Sequence, residues 1–197
     1  MKQERQKHGL KFEDWLKKTF FDIYYTSEWD IPEQLNPIKR GGPISIKTAK
    51  WRGSVYFGDA LRQFDVDHNF TLIVGFWVHE GNRKRIVKIT EDVVTKEKWR
   101  SYWSNLVRED LLKLDRTIKN RKLGYIKARK KAKEIKSEIE SKLGIITLNP
   151  KIDSKTQRRL QCSIPSKEFF RHIIGIENPT EDKEFIVWGQ KIKPPLL

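Results

Sequence analysis

The spacing of apolar positions changes several times along the chain, and each change predicts an element. Phe12, Leu16, Phe20 and Ile23 recur at steps of four, four and three, which predicts a helix over residues 7–21. Two aromatic and β-branched pieces follow at 22–26 and 28–31, the second stopped by Pro32. A glycine turn at 40–43 precedes residues 44–48, where apolar and polar residues alternate with the period of a half-buried strand. Residues 54–57 are expected to extend that sheet, and Asp59 to open a short helix ending at Phe64. The nearly unbroken apolar run at 70–78 reads as a strand buried on both faces, and a hairpin turn at 80–82 leads to a returning strand over 85–90. The order α-β-β-β-α-β-β predicts an α/β (α+β) fold, with a mixed central sheet flanked by helices.

Beyond residue 95 the pattern becomes helical. Trp99, Trp103, Leu106, Leu111, Leu114 and Ile118 predict one helix. Ala128, Ala132, Ile135, Ile139 and Leu143 predict a second, with Gly124 between them and Gly144 as the cap. Extended pieces return at 145–148 and 159–164, then a short helix near 169–173 and a last strand at 185–188. This divides the chain into a core at 1–95, a helical insertion at 96–144, and a segment at 145–197 that completes the same domain.

Composition narrows the function classes. The 197 residues carry 41 Lys and Arg against 26 Asp and Glu, a formal charge of +15, yet seven Trp and ten Phe supply a core. One cysteine, Cys162, makes no internal disulfide and no cysteine-rich zinc module. No apolar run approaches the ~20 residues that span a bilayer, and the N-terminus has no signal core, so a cytoplasmic protein with no membrane association is expected. A surplus of cations this large points to a polyanion as partner.

Candidate chemistry lies in the first quarter. Glu13 sits on the opening helix, Asp30 on the short piece ended by Pro32, and Ser45-Ile46-Lys47 on the strand after the glycine turn. Fourteen residues separate Asp30 from Ser45, enough for a hairpin that returns the second piece beside the first. Residues 45 and 47 share a face while Ile46 points into the core, so Asp30, Ser45 and Lys47 can meet at one sheet edge with Glu13 reaching in from the helix. Two carboxylates and a lysine are what phosphodiester hydrolysis with a hard metal requires: oxygen ligands for the ion, and an ammonium that orients or deprotonates a water.

The stretches 8–13, 29–32 and 43–49 (HGLKFE, WDIP and PISIKTA) resemble the motifs of the PD-(D/E)XK nuclease superfamily, in particular type II restriction endonucleases, and the element order through residue 90 is similar to that family's α-β-β-β-α-β core. The resemblance implies a restriction-endonuclease-like fold, with Asp30 as the metal-binding aspartate and Lys47 as the motif lysine. It also implies Glu13 as an assisting metal ligand, the Ile46 carbonyl as a further one, and Mg²⁺ as cofactor with Mn²⁺ as a substitute. Ser45 departs from the pattern, which has Asp or Glu there: either Glu13 supplies the second carboxylate, Ser45 contacts the metal's water, or the site binds without cutting. Asp59 and Glu28 are acids of lower rank for the role. The plain alternative makes Asp30 a turn cap, Lys47 a solvated lysine and Glu13 a helix-surface acid.

Between Lys113 and Lys133 ten cations accompany one acid, Asp115, a local charge of +9. Arg121, Lys122, Lys127, Arg129, Lys130, Lys131 and Lys133 are therefore expected on DNA phosphates. Arg158, Arg159 and Gln161 have the chemistry to read bases, as do Gln157 and the hairpin-tip residues 82–84. His8, His68, His79 and His172 have no metal-ligand spacing, and Trp99 and Trp103 read as core. The expectation is an Mg²⁺-dependent, sequence-specific double-stranded DNA endonuclease acting as a prokaryotic cytoplasmic homodimer. Its rivals are a structure-selective nuclease such as a junction resolvase, and a basic nucleic-acid-binding protein that no longer cuts.

Overall fold

The alternation of apolar and polar residues in 44–50 and the long apolar run from Phe70 commit both stretches to a sheet. The structure, a computed structural model, describes residues 4–22, 29–153 and 157–197. In chain order its elements are α1 (Glu4–Phe20), β1 (Ile44–Lys50), β2 (Val55–Asp59), α2 (Ala60–Phe64), β3 (Phe70–Glu80), β4 (Arg83–Val94), α3 (Lys96–Ser101), α4 (Arg108–Lys119), α5 (Tyr125–Ile139), β5 (Thr147–Ile152), β6 (Arg158–Ile164), α6 (Ser166–Phe169), β7 (Phe185–Val187) and β8 (Gln190–Ile192). The fold is mixed α/β. No described helix is long and apolar enough to cross a membrane.

The described residues form two compact units: 1–55 with 68–95 and 166–197, and 56–67 with 96–165. In the first, β3 is the central strand, parallel to β1 and antiparallel to β4. One face of this sheet carries Ile44, Ile46 and Ile73, which pack with Phe12 and Leu16 of α1. The helix comes close because β3 has Gly75 beneath it: a Cβ there would lie 2.7 Å from the Phe12 ring. On the other face, Phe76 packs with Phe169 and Phe170 at ring separations of 5.5 and 4.9 Å. The expected layering of helix, mixed sheet and helix is therefore present in this unit.

The second unit holds the sheet ordered β2-β6-β5, in which β5 and β6 are antiparallel. Helix α4 packs on β6 and α5 on β5. Trp99 and Trp103 are fully buried, the first against Phe57 with its indole N–H donated to the Gln63 carbonyl at 2.7 Å, the second against Phe64. Residues 145–165 thus group with the basic helices, and residues 166–197 with the sheet that carries β1.

Several elements differ from the pattern expected. Most of the pieces at 22–26 and 28–31 lies outside the described residues, though Ile31 forms a bridge with Ile44. Residues 54–57 do not extend the β1 sheet: Gly53 N–H bonds back to the Lys50 carbonyl at 2.7 Å, Arg52 adopts φ 61°, and the turned chain enters the second sheet as β2. The helix expected through Trp99 and Ile118 is broken, with Ser104 at φ 53° between α3 and α4. Gly144 is not the cap of α5, which ends at Ile139; it is small because a Cβ would sit 2.5 Å from the Tyr102 carbonyl. The last strand is a hairpin whose two turn residues, Trp188 and Gly189, have φ of 49° and 73°.

Candidate functional site

β1 is an edge strand, so its outer N–H and C=O groups need partners from outside the sheet. The Ile31 bridge serves Ile44 in both directions: Ile44 N–H bonds to the Ile31 carbonyl at 2.8 Å, and Ile31 N–H to the Ile44 carbonyl at 3.2 Å. One step further along this edge the Asp30 carboxylate replaces a backbone partner, with Oδ2 accepting from Ile46 N–H at 2.6 Å. The same oxygen accepts from Lys47 Nζ at 3.1 Å, and Lys47 Nζ also donates to the Ile46 carbonyl at 3.0 Å. Asp30, Ile46 and Lys47 thus form one hydrogen-bonded cluster. Both charged side chains are about one-fifth exposed, accessible but partly desolvated.

Glu13 approaches from α1. Its carboxylate accepts from Lys17 Nζ at 2.5 Å, an i,i+4 pair in which Lys17 is only 2% exposed. Burial holds the Glu13 carboxyl above the usual carboxylate range; Lys17 opposes that shift, the Asp30 charge adds to it, and Lys47 opposes it. Glu13, Asp30 and Lys47 therefore share one electrostatic environment although 34 residues separate the first from the last. A carboxyl whose ionisation a neighbouring carboxylate makes costlier, as Asp30 does for Glu13, favours a cation beside it. The donor set, two carboxylates plus a backbone carbonyl, is of the oxygen type that suits a hard divalent ion keeping several of its waters. Among the described residues no group of three or more His, Cys, Asp or Glu side chains is placed so that it could hold a metal ion.

Ser45 is 7% exposed and lies on the β1 face opposite Ile44 and Ile46, the face from which the Lys47 side chain starts. It contributes no charge. Of the two lower-ranked acids, Asp59 is the N-cap of α2, accepting from Arg62 N–H at 3.0 Å, while Glu28 lies outside the described residues. Sequence reasoning missed Lys17; its signal was the i,i+4 spacing from Glu13 on a helix whose neighbouring Leu16 faces the core.

The basic residues of the second unit divide into two kinds. Arg121, Lys122, Lys127, Lys130 and Lys131 are exposed and form no ion pair among the described residues. The one acid of the stretch, Asp115, is 5% exposed and paired to Lys119 at 2.7 Å, so it hardly dilutes the positive surface. Arg129 and Arg158 have structural work. Arg129 Nε donates to the Ile152 carbonyl at 2.8 Å, and Arg158 donates to the carbonyls of Ile118 at 3.1 Å and Leu123 at 3.0 Å, closing the end of α4. Arg159 and Gln161 lie opposite Lys151 and Asn149 on one face of β6 and β5, Arg159 exposed and Gln161 half-buried. Gln157 closes a turn with Asp153 through its backbone, and Lys84 at the hairpin tip lies 4.0 Å from the Trp77 ring centre.

No family model, curated protein or solved structure matches this chain. The reading of the site rests on its own geometry and chemistry.

His68 and His79 meet Trp29 and Trp77 edge to face, and His172 pairs with Glu168 one helical turn away. Cys162 is buried in β6, and burial pushes its thiol far above the ordinary range, which leaves it unreactive.

Proposed function

We propose that this protein is a metal-dependent DNA endonuclease of the restriction type, with the fold of the PD-(D/E)XK nucleases. The reading rests above all on the Asp30–Ile46–Lys47 cluster at the β1 edge, with Glu13 coupled to it through charge. Asp30, Glu13 and the Ile46 carbonyl would hold Mg²⁺ or Mn²⁺, which supplies a more acidic water and neutralises charge on the phosphate. Lys47 is held by Asp30 and the Ile46 carbonyl, so its ammonium stays at the cluster and can orient a water against the phosphodiester. Asp30 fixes the edge of β1 as well as offering its second oxygen. Lys17 holds the Glu13 carboxylate in place and partly offsets the cost of its burial. Ser45 packs beside the cluster without charge.

A cytoplasmic homodimer cutting both strands of a two-fold site would give each active centre one strand. The exposed cations of α5 and the turn before it support a polyanionic substrate.

Buried, neutral Ser45 favours a second reading, a nucleic-acid-binding protein whose site has lost its strand carboxylate. One experiment separates the two. Plasmid and bacteriophage DNA are incubated with Mg²⁺, beside an EDTA control and Lys47→Ala, which removes a general-base or orienting group worth roughly 100-fold or more. Discrete fragments from the wild type alone establish a sequence-specific endonuclease. Cleavage confined to branched substrates points to a junction-resolving nuclease. Intact DNA that is still retarded in a gel leaves the binding protein.

A further inference from the structure

In the second unit a cleft of about 420 Å³ runs between α5 and the edge strand β5. Its helix wall is a stripe at steps of four and three: Arg129, Lys133, Lys136. Its strand wall is Pro150, Lys151 and Asp153. Three cations of the helix wall thus face one acid, and Asp153 already accepts from Gln157 N–H at 2.8 Å. None of the three cations forms an ion pair among the described residues. Glu134 and Glu138, the two acids of α5, fall on the other side of the helix with Lys127, Lys130 and Lys131, and Glu138 is paired to Lys113 at 2.8 Å. The densest unneutralised charge of the helix is therefore inside the cleft and not on its outer face.

The cleft has a fixed geometry. Arg129 Nε is anchored on the Ile152 carbonyl, leaving its terminal nitrogens to donate elsewhere, and its guanidinium lies 5.3 Å from the Tyr125 ring centre. Lys151 lines the cleft only at the strand edge, because its Nζ turns to the other face of the sheet, 5.3 Å from the ring centre of Tyr56. Pro150 brings no N–H to the strand wall. From Arg129 to Lys136 the helix rises about 10 Å, roughly the axial rise of three nucleotides of one strand. One phosphate is too short for this array, and a run of them fits it.

We propose that the α5–β5 cleft binds consecutive phosphates of a polynucleotide strand through Arg129, Lys133 and Lys136. It rests on the nucleic-acid part of the proposed function and not on cleavage, so its test is read without divalent metal. A fluorescein-labelled 20-base-pair duplex is titrated in EDTA at several salt concentrations. The variants are the double Lys133→Gln, Lys136→Gln and a control with the same charge loss, Lys167→Gln, Lys183→Gln. Each phosphate contact contributes about 0.9 to the slope of log affinity against log salt. The cleft double is expected to lower that slope by about 2 and the control by less than about 1. Equal losses in both, or an unchanged slope in the cleft double, overturn the proposal. If the double fails to fold, Lys133→Gln alone is expected to lower the slope by about 1, and no change there overturns it equally.

Discussion

The two charged regions of this chain hold their charge in opposite ways. At the β1 edge few charges are present, each is partly buried, and each is bonded: Asp30 to Ile46 N–H and Lys47, Glu13 to Lys17. Around α5 many charges are present, most are exposed, and most have no acid beside them. The first arrangement fixes atoms within a few ångströms, as a reaction needs. The second sets up a field, as capture of a polyanion needs. Mutations should therefore fail differently in the two regions: position and stability at the edge, salt-dependent affinity around α5.

The largest expected effect comes from the seat of the helix that carries Glu13. Gly75→Ala would push a methyl group to 2.7 Å from the Phe12 ring, well inside contact distance, in a sheet face that is already full. Overpacking of this kind costs about 1–3 kcal/mol, measurable by urea denaturation. The proposed cleavage should fall with it, because Glu13 is one residue from Phe12. Gly9→Ala is the matched control: its new Cβ meets only Thr48 Oγ1 at 3.7 Å, and a helical glycine replaced by alanine gains roughly 0.5–1 kcal/mol. If both changes act alike, α1 is not seated on β3 through Gly75.

Arg158→Ala sharpens the other side of the comparison. The guanidinium donates to the Ile118 and Leu123 carbonyls, which then lose a charged donor in a partly exposed setting. About 1–2 kcal/mol of stability should go, seen as a lower urea midpoint. The salt slope of DNA binding should change less than for the α5–β5 cleft. A full unit of slope lost without destabilisation would return Arg158 to the DNA surface.

What could be read in advance follows from how local each signal is. Period-two alternation in 44–50 and the apolar run from Phe70 fixed two adjacent strands correctly, since both signals lie within one element. The meeting of Asp30 with Lys47 was legible because the glycine turn brings the chain back beside Asp30, where Ile31 bridges to Ile44. The fate of β2 was not legible: a turn at Arg52 decides which sheet it joins, and the pattern on either side is the same. Nor was the division of the basic residues. Arg129 and Arg158 look like their neighbours in sequence, and only the carbonyls they meet at 23 and about 40 residues' distance tie them down. The Trp188–Gly189 turn was hidden for a related reason: a bulky residue rarely takes a positive φ, and here tertiary contacts hold it.

Those contacts give the smallest and most specific prediction. Glu91 Oε2 accepts the Trp188 N–H at 2.8 Å, and the Trp188 ring stands edge-on to Phe20 and Phe21 at 4.6 and 5.1 Å. Burial raises the Glu91 carboxyl above its ordinary value of 4.5, and the Trp188 N–H only partly offsets that. A carboxyl raised in the folded state binds its proton more tightly there than in the unfolded chain. Its effect is therefore to cost stability as pH rises above about 4.5, the opposite of a salt-bridged acid. Glu91→Gln keeps an oxygen for the Trp188 N–H and removes the charge. Its Tm should match the wild type near pH 4 and exceed it at pH 7.5, the gap opening as pH climbs. The buried Glu13 shifts in the same direction but is common to both proteins and cancels in the difference. A gap that is constant with pH would mean that Glu91 holds the hairpin by shape alone, and that partial burial of charge distinguishes only the β1 edge within its unit.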